Sequence, residues 1–162
     1  MQAPQQIEPT RLADYLEVLT KAVFQSGMSW QVVEAKWDGF LEAFAGFDPA
    51  TVAAFSGDDV DRLVEDARII RNRRKIEATI TNAETMLALD GGPGGFTGWL
   101  RSRADFAATV AALRGAFRFL GDTGAYFFLY VVGERVPPHE EWMKAHQSTA
   151  HRASAPRPTR KI

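Results

Sequence analysis

The sequence predicts an all-α fold, a single-domain helical bundle of about seven or eight helices without an internal repeat, and three observations predict it. Apolar residues recur at three- and four-residue spacing along most of the 162-residue chain, the period of helices buried on one face. The breaks between these runs carry Ser, Thr, Asp or Gly where helices are capped. One run, Tyr126–Val132, is apolar enough for a buried strand. Its place after a Gly-Asp-Thr-Gly turn, in helical surroundings, assigns it to a buried helix.

Residues 1–9 are Gln/Pro-rich and read as a disordered N-terminus. Thr10 caps a first helix with Leu12, Tyr15, Leu16, Leu19 and Val23 on one face. Phe24–Trp30 is then a tight corner, Phe-Gln-Ser-Gly-Met-Ser-Trp. Gly27 supplies the positive φ of a sharp reversal, Ser29 is an N-cap, Met28 stands at the tip, and Trp30 opens the next helix. Composition alone reads this as a helix–helix corner in a core. An exposed apolar tip beside a buried-looking indole is nonetheless an odd choice for such a corner. Trp30, Val33, Trp37, Leu41 and Phe44 mark the second helix. Asp48-Pro49 opens a short third one through Val52 and Phe55, and Ser56 starts a fourth, Asp58–Asp66, with a capping-box pattern. A longer helix begins near Asn72, buries Ile76, Ile80, Ala83 and Leu87, and stops at Asp90 before a flexible Gly91–Gly95 connection. Phe96, Trp99 and Leu100 dock a short segment, and Ser102 is read as the cap of a helix with Phe106, Val110 and Leu113 inward. Phe119–Ala125 is a second tight corner, and His139–His146 a short amphipathic helix. The domain is expected to span residues 10–146, with 147–162 a basic disordered tail.

With 46% hydrophobic and 24% charged residues, the composition is that of a soluble globular domain. There is no apolar run of the roughly 18 residues a membrane span needs, and Met1–Thr10 lacks the apolar core of a secretory signal. A cytoplasmic location is expected. The absence of Cys excludes disulfides, thiolate zinc sites and cysteine nucleophiles. Net charge is −1, but it is unevenly placed. Residues 151–162 carry Arg152, Arg157, Arg160 and Lys161 without an acid, and Arg68–Lys75 holds Arg68, Arg71, Arg73, Arg74 and Lys75. Such a patch on a near-neutral domain suits phosphate contacts, and equally a solvated helix face.

The Phe119–Ala125 corner has the form of a helix–hairpin–helix, which aims backbone N–H groups at a phosphate oxygen. Gly121 and Gly124 permit close backbone approach. Asp122 would compete with a phosphate for those amides, or serve as the N-cap of the following helix. His139-Glu140-Glu141 does not present ligands on one helix face, and the three His, at 139, 146 and 151, form no metal-binding pattern, so neither a metal nor a cofactor is expected. No phosphate-binding Gly loop follows a strand, and no Ser/His/Asp arrangement can be picked out. Glu17, the carboxylate nearest Trp30 on the first helix, faces solvent by helical phase.

Gln25-Ser-Gly-Met-Ser-Trp30, Phe47-Asp-Pro49, the run Val60–Ile76 and Asn82-Ala83 occur in an order and spacing that resemble the 3-methyladenine DNA glycosylase I family. That family lies within the helix–hairpin–helix glycosylases. The resemblance covers about residues 11–140, with Ile69–Ile76 its most specific block. It implies a base-excision-repair enzyme that flips an alkylated base, such as 3-methyladenine, out of double-stranded DNA and hydrolyses its glycosidic bond. A monomer is expected. Trp30 matches the indole lining the base pocket, and Met28, between Gly27 and Ser29, matches the apolar plug that fills the gap in the duplex. Gly121, Asp122 and Thr123, followed by Gly124, match the hairpin that grips the backbone. The family's base-recognising glutamate falls at Ala22, so the catalytic carboxylate is unassigned; Glu17, Glu140 and Glu141 are the alternatives for orienting water. The family's N-terminal pocket segment and its zinc-binding Cys residues find no counterpart, which leaves the matching His139 without partners, and Arg68 replaces a family Gly. A catalytically inactive DNA-binding or damage-sensing module of the same fold is the alternative, and a fold kept for protein partnering is a third.

Overall fold

Side-chain caps fix where four of the helices start. Asp48 accepts from the Thr51 amide at 3.1 Å, Ser56 and Asp59 form a reciprocal capping box, Asn72 accepts from the Lys75 amide and Asp105 from that of Ala108. These caps satisfy amides that a helix cannot pair internally. Residues 3–145 are described by the structure, a computed structural model; the tail 147–162 lies outside them. Among the described residues the elements are α1 (Leu12–Gln25), α2 (Trp30–Ala35), α3 (Trp37–Ala43), a 3₁₀ turn (Ala45–Phe47), α4 (Pro49–Ala53), α5 (Gly57–Val64), α6 (Arg73–Asp90), α7 (Gly95–Leu100), α8 (Phe106–Ala116) and α9 (Asp122–Val131). Residues 139–145 are also helical. No described residue is in a strand.

The all-α architecture is as read, and Tyr126–Val132 is helical. The details differ at several points, and Leu87, expected on the buried face of the long helix, is exposed. The second helix is two, because Lys36 leaves helical geometry (φ −102°, ψ 2°) between α2 and α3. Thr10 does not cap α1: the Asp14 carboxylate reaches back to the amides of Thr10 (2.9 Å) and Arg11 (3.1 Å). Ser102 is likewise displaced as a cap by Asp105, three residues on. At the N-terminus, which the sequence suggested was disordered, the Ile7 amide donates to the Val131 carbonyl at 2.8 Å.

Helices α1 and α6 are the centre. Helix α6 packs against α1, α4, α5 and α7, and α1 also packs against α9. Around α3 the aromatic rings form a ladder. Trp37 stacks between Phe40 and Phe47, at 4.9 and 5.3 Å, and Phe24 meets Phe40 edge-on at 4.7 Å. A second aromatic group, Tyr15, Phe96 and Phe128, joins α1, α7 and α9. Such pairs add about 0.5–1.5 kcal/mol each beyond the area they bury.

Gly39 brings α3 against the strap that leads into α6. A Cβ there would stand 2.2 Å from the Arg68 carbonyl oxygen, which is backbone and cannot step aside. We expect Gly39→Ala to cost about 2–3 kcal/mol by overpacking, a drop of roughly 4–12 °C in thermal denaturation for a chain of this size. Gly115→Ala, in open space on α8, should raise the midpoint slightly, since Ala is the better helix former. Equal midpoints for the two variants would contradict the close approach at Gly39.

Candidate nucleic-acid interface

Two buried polar side chains on one face of α6 build this surface. Lys75, in the first turn, is only 5% exposed. Its ammonium donates to the carbonyls of Phe24 (3.1 Å) and Ser26 (2.6 Å), so it satisfies acceptors at the C-terminal end of α1, where the helix dipole favours a cation. Burial pushes the ammonium below the ordinary lysine value. Asn82, two turns later and 1% exposed, accepts from the Arg118 amide (2.8 Å) and donates to the Arg118 carbonyl (3.2 Å). The first side chain holds the α1–α2 corner and the second holds the α8–α9 hairpin.

What they hold is apolar and faces outward. Gly27 takes φ +74°, and Met28, Trp30 and Val32 are exposed, Trp30 at 48%. The corner does not sit in a core, and the indole that looked buried is open to solvent. Ser29 occupies the N-cap position of α2, though its side chain makes no capping bond. In the hairpin, Phe119 is exposed and has φ +58°, a backbone conformation that costs a β-carbon-bearing residue about 1–2 kcal/mol. Gly121, not Asp122, is the N-cap of α9. Asp122 is its first residue, and its carboxylate accepts from Arg114 Nη1 at 2.9 Å. This draws it toward α8. Thr123 is exposed, and Gly124 backs onto α1.

The position at which the resemblance puts a glutamate is closed. Ala22 is buried, and a Cβ placed on Gly124 would lie 3.7 Å from the Ala22 Cβ and 3.0 Å from Leu120 Cδ1. Two small residues therefore let α1 and α9 approach where the carboxylate would project. Glu17 is not turned to solvent: it accepts from Trp37 Nε1 at 3.0 Å. His139 lies edge-on to Tyr126, 5.2 Å between centroids. No group of three His, Asp or Glu gathers among the described residues, and without Cys the zinc site of the resemblance has no fitting ligands. A separate cleft of about 670 Å³, lined by Arg101, Arg103, Phe106, Leu129 and Arg135 among others, contains none of the corner or hairpin residues.

The basic segment is divided. Arg68 is paired with Asp66 and Glu42, which raise its pKa further, Arg73 with Asp61 and Glu77, and Lys75 is buried. Arg71 and Arg74 are exposed and have no ion pair among the described residues. Both precede the corner's anchor, Lys75, in sequence. Sequence reasoning noted these cations together but not the division, and it missed Phe119 and the two anchors. The available signal was Lys75, Thr79 and Asn82 at i, i+4 and i+7 on an otherwise apolar face.

Replacing Lys75 by Met removes the donor while keeping the buried stem. We expect a loss of about 2–4 kcal/mol, since two carbonyls lose their partner, and increased proteolytic cleavage confined to the 24–30 corner. Asn82→Ala should instead loosen the 117–121 hairpin. Thermal denaturation with mapped limited proteolysis would check both, and identical cleavage maps would contradict separate anchoring.

The family model for methyladenine glycosylase matches residues 10–116, ending just before the hairpin. DNA-3-methyladenine glycosylase 1 of Escherichia coli (strain K12) is 33% identical over 130 residues, covering 67% of this chain and 70% of that protein. DNA-3-methyladenine glycosylase of Haemophilus influenzae is 27% identical over the same shares. A crystal structure of 3-methyladenine DNA glycosylase I superposes with a TM-score of 0.69 at 29% identity, covering 78% of this chain and 81% of that one. The matched span takes in the corner, the Ile69–Ile76 block and both α6 anchors, and the chain belongs to the 3-methyladenine DNA glycosylase I family.

Proposed function

We propose that this protein excises 3-methyladenine and related N-alkylated bases from double-stranded DNA by hydrolysing the N-glycosidic bond of a flipped nucleotide. The observation that carries the proposal is the pair of outward-facing loops, corner and hairpin, fastened to one face of α6. Alkylation at N3 makes the base cationic, so it departs as a neutral molecule, taking the electron pair of the C1′–N9 bond while water adds at C1′ and gives up a proton to solvent. Such a leaving group needs no strong acid. Met28 enters the duplex at the vacated position and offsets lost stacking. Trp30 stacks on the extruded base. The first-turn amides of α9, with Gly121, Asp122, Thr123 and Gly124, approach the phosphate backbone, and Arg71 and Arg74 supply its countercharge. The enzyme acts as a monomer in the cytoplasm. No helix among the described residues is long and apolar enough to cross a membrane.

Release of base from methylated duplex DNA tests this directly. Wild type is expected to liberate 3-methyladenine, and Trp30→Ala to slow release about 10–100-fold, the worth of one stacked base. Duplex binding without any base release from wild type would refute excision and leave only a binding module.

The cation division gives a second expectation. Arg71→Ala and Arg74→Ala should each weaken duplex binding regardless of sequence and flatten the logarithmic salt dependence by about one. Arg73→Ala, whose guanidinium is already paired, should alter the slope less.

A further inference from the structure

The site described so far lacks a carboxylate for a cationic base, because Ala22 is sealed against α9. We propose that Glu34 supplies it, a proposal that rests on the excision reading above. Trp30 and Glu34 are one turn apart on α2, at the i, i+4 spacing that brings Cβ atoms within about 5–6 Å. Val33, fully buried, turns the helix so that these two residues share its solvent flank.

Glu34 is held in place. Lys21 Nζ donates to both of its oxygens, at 2.5 and 2.9 Å. Lys21 is in turn fixed 5.0 Å above the Trp37 ring, whose Nε1 is bound by Glu17. The chain of contacts runs from α1 through α3 to α2. It joins two carboxylates to one ammonium, so the cluster keeps a net charge of −1 and favours an added cation. The Glu34 side chain remains 41% exposed, and each carboxylate oxygen has lone pairs beyond the one Lys21 uses. A lysine that only neutralised its partner would leave the cluster uncharged; Glu17 prevents that.

The predicted ligand is therefore a planar cation stacked on Trp30 with its charged edge toward Glu34. Both elements of recognition sit on one short helix, so the selectivity should be for charge and not for shape alone.

The probe is the 3,9-dimethyladeninium cation, compared with neutral 9-methyladenine, each titrated against the whole chain and followed by tryptophan fluorescence. Wild type is expected to prefer the cation by about tenfold, near the value of one charge-assisted contact. Glu34→Gln should abolish that preference while leaving neutral binding and the thermal midpoint little changed, and Glu34→Asp should restore part of it. Base release from methylated duplex is measured in parallel. A wild type that prefers the cation through Glu34 but releases no base upholds this inference and refutes excision. A wild type that releases base while Glu34→Gln keeps both rate and cation preference overturns the inference and upholds excision. A Glu34→Gln change in stability alone would make the Lys21 pair merely structural and also overturn it.

Discussion

Two loops almost a hundred residues apart in sequence are positioned by Lys75 and Asn82, two turns apart on α6 and so about 10 Å along its axis. Everything that the corner and the hairpin turn outward depends on this spacing. A buried ammonium is costly to desolvate, and the lowered lysine pKa registers that cost. It is tolerated because the carbonyls of Phe24 and Ser26 are acceptors that would themselves go unpaired. Asn82 satisfies both backbone groups of Arg118 in the same way. The polar atoms are satisfied as pairs, and each pair converts a flexible turn into a fixed one.

Rigid mounting lets the loops carry groups that are unfavourable in water. Met28, Trp30, Val32 and Phe119 forgo part of a burial worth about 1.5–3 kcal/mol each when complete, and Phe119 adds the strain of a left-handed backbone. A loop free to rearrange would tuck these residues inward. Held by α6, they stay at the surface, where the proposed function would bring the bases and sugars of an opened duplex. The Asp122–Arg114 bond removes the objection that a carboxylate in the hairpin raises: it is engaged toward α8 and partly neutralised there.

The fold class was legible because the apolar period runs through nearly every element, and Ser56, Asn72 and Asp48 announce their helices by local chemistry. The errors came where tertiary contacts decide. Nothing local reveals that Lys36 breaks a continuous apolar period, or that Asp14 serves α1 better than Thr10. Trp30 and Met28 were identified through family-like spacing, yet the indole's exposure was not readable, since a large aromatic in a helix is most simply buried. Glu17 shows the same limit in reverse. Its helical phase points away from the α1 core, and only the later arrival of Trp37 gives its carboxylate a donor.

The contact between Ala22 and Gly124 explains how excision chemistry can survive such a departure. Filling this position with small residues exchanges a buried carboxylate for a close helix–helix approach, which removes the desolvation cost of the charge and tightens α1 against the hairpin helix. The exchange also removes an ion from the interior, and the proposal for Glu34 moves recognition to the exposed flank of α2, where water screens it. A screened carboxylate discriminates weakly. Weak discrimination suffices if the substrate supplies the remainder: an undamaged purine would have to leave as an anion, whereas an N3-alkylated one leaves neutral. On the proposed reading, lability of the lesion, stacking on Trp30 and a single surface charge would together select the alkylated base, with the rigid α6 mounting setting their geometry.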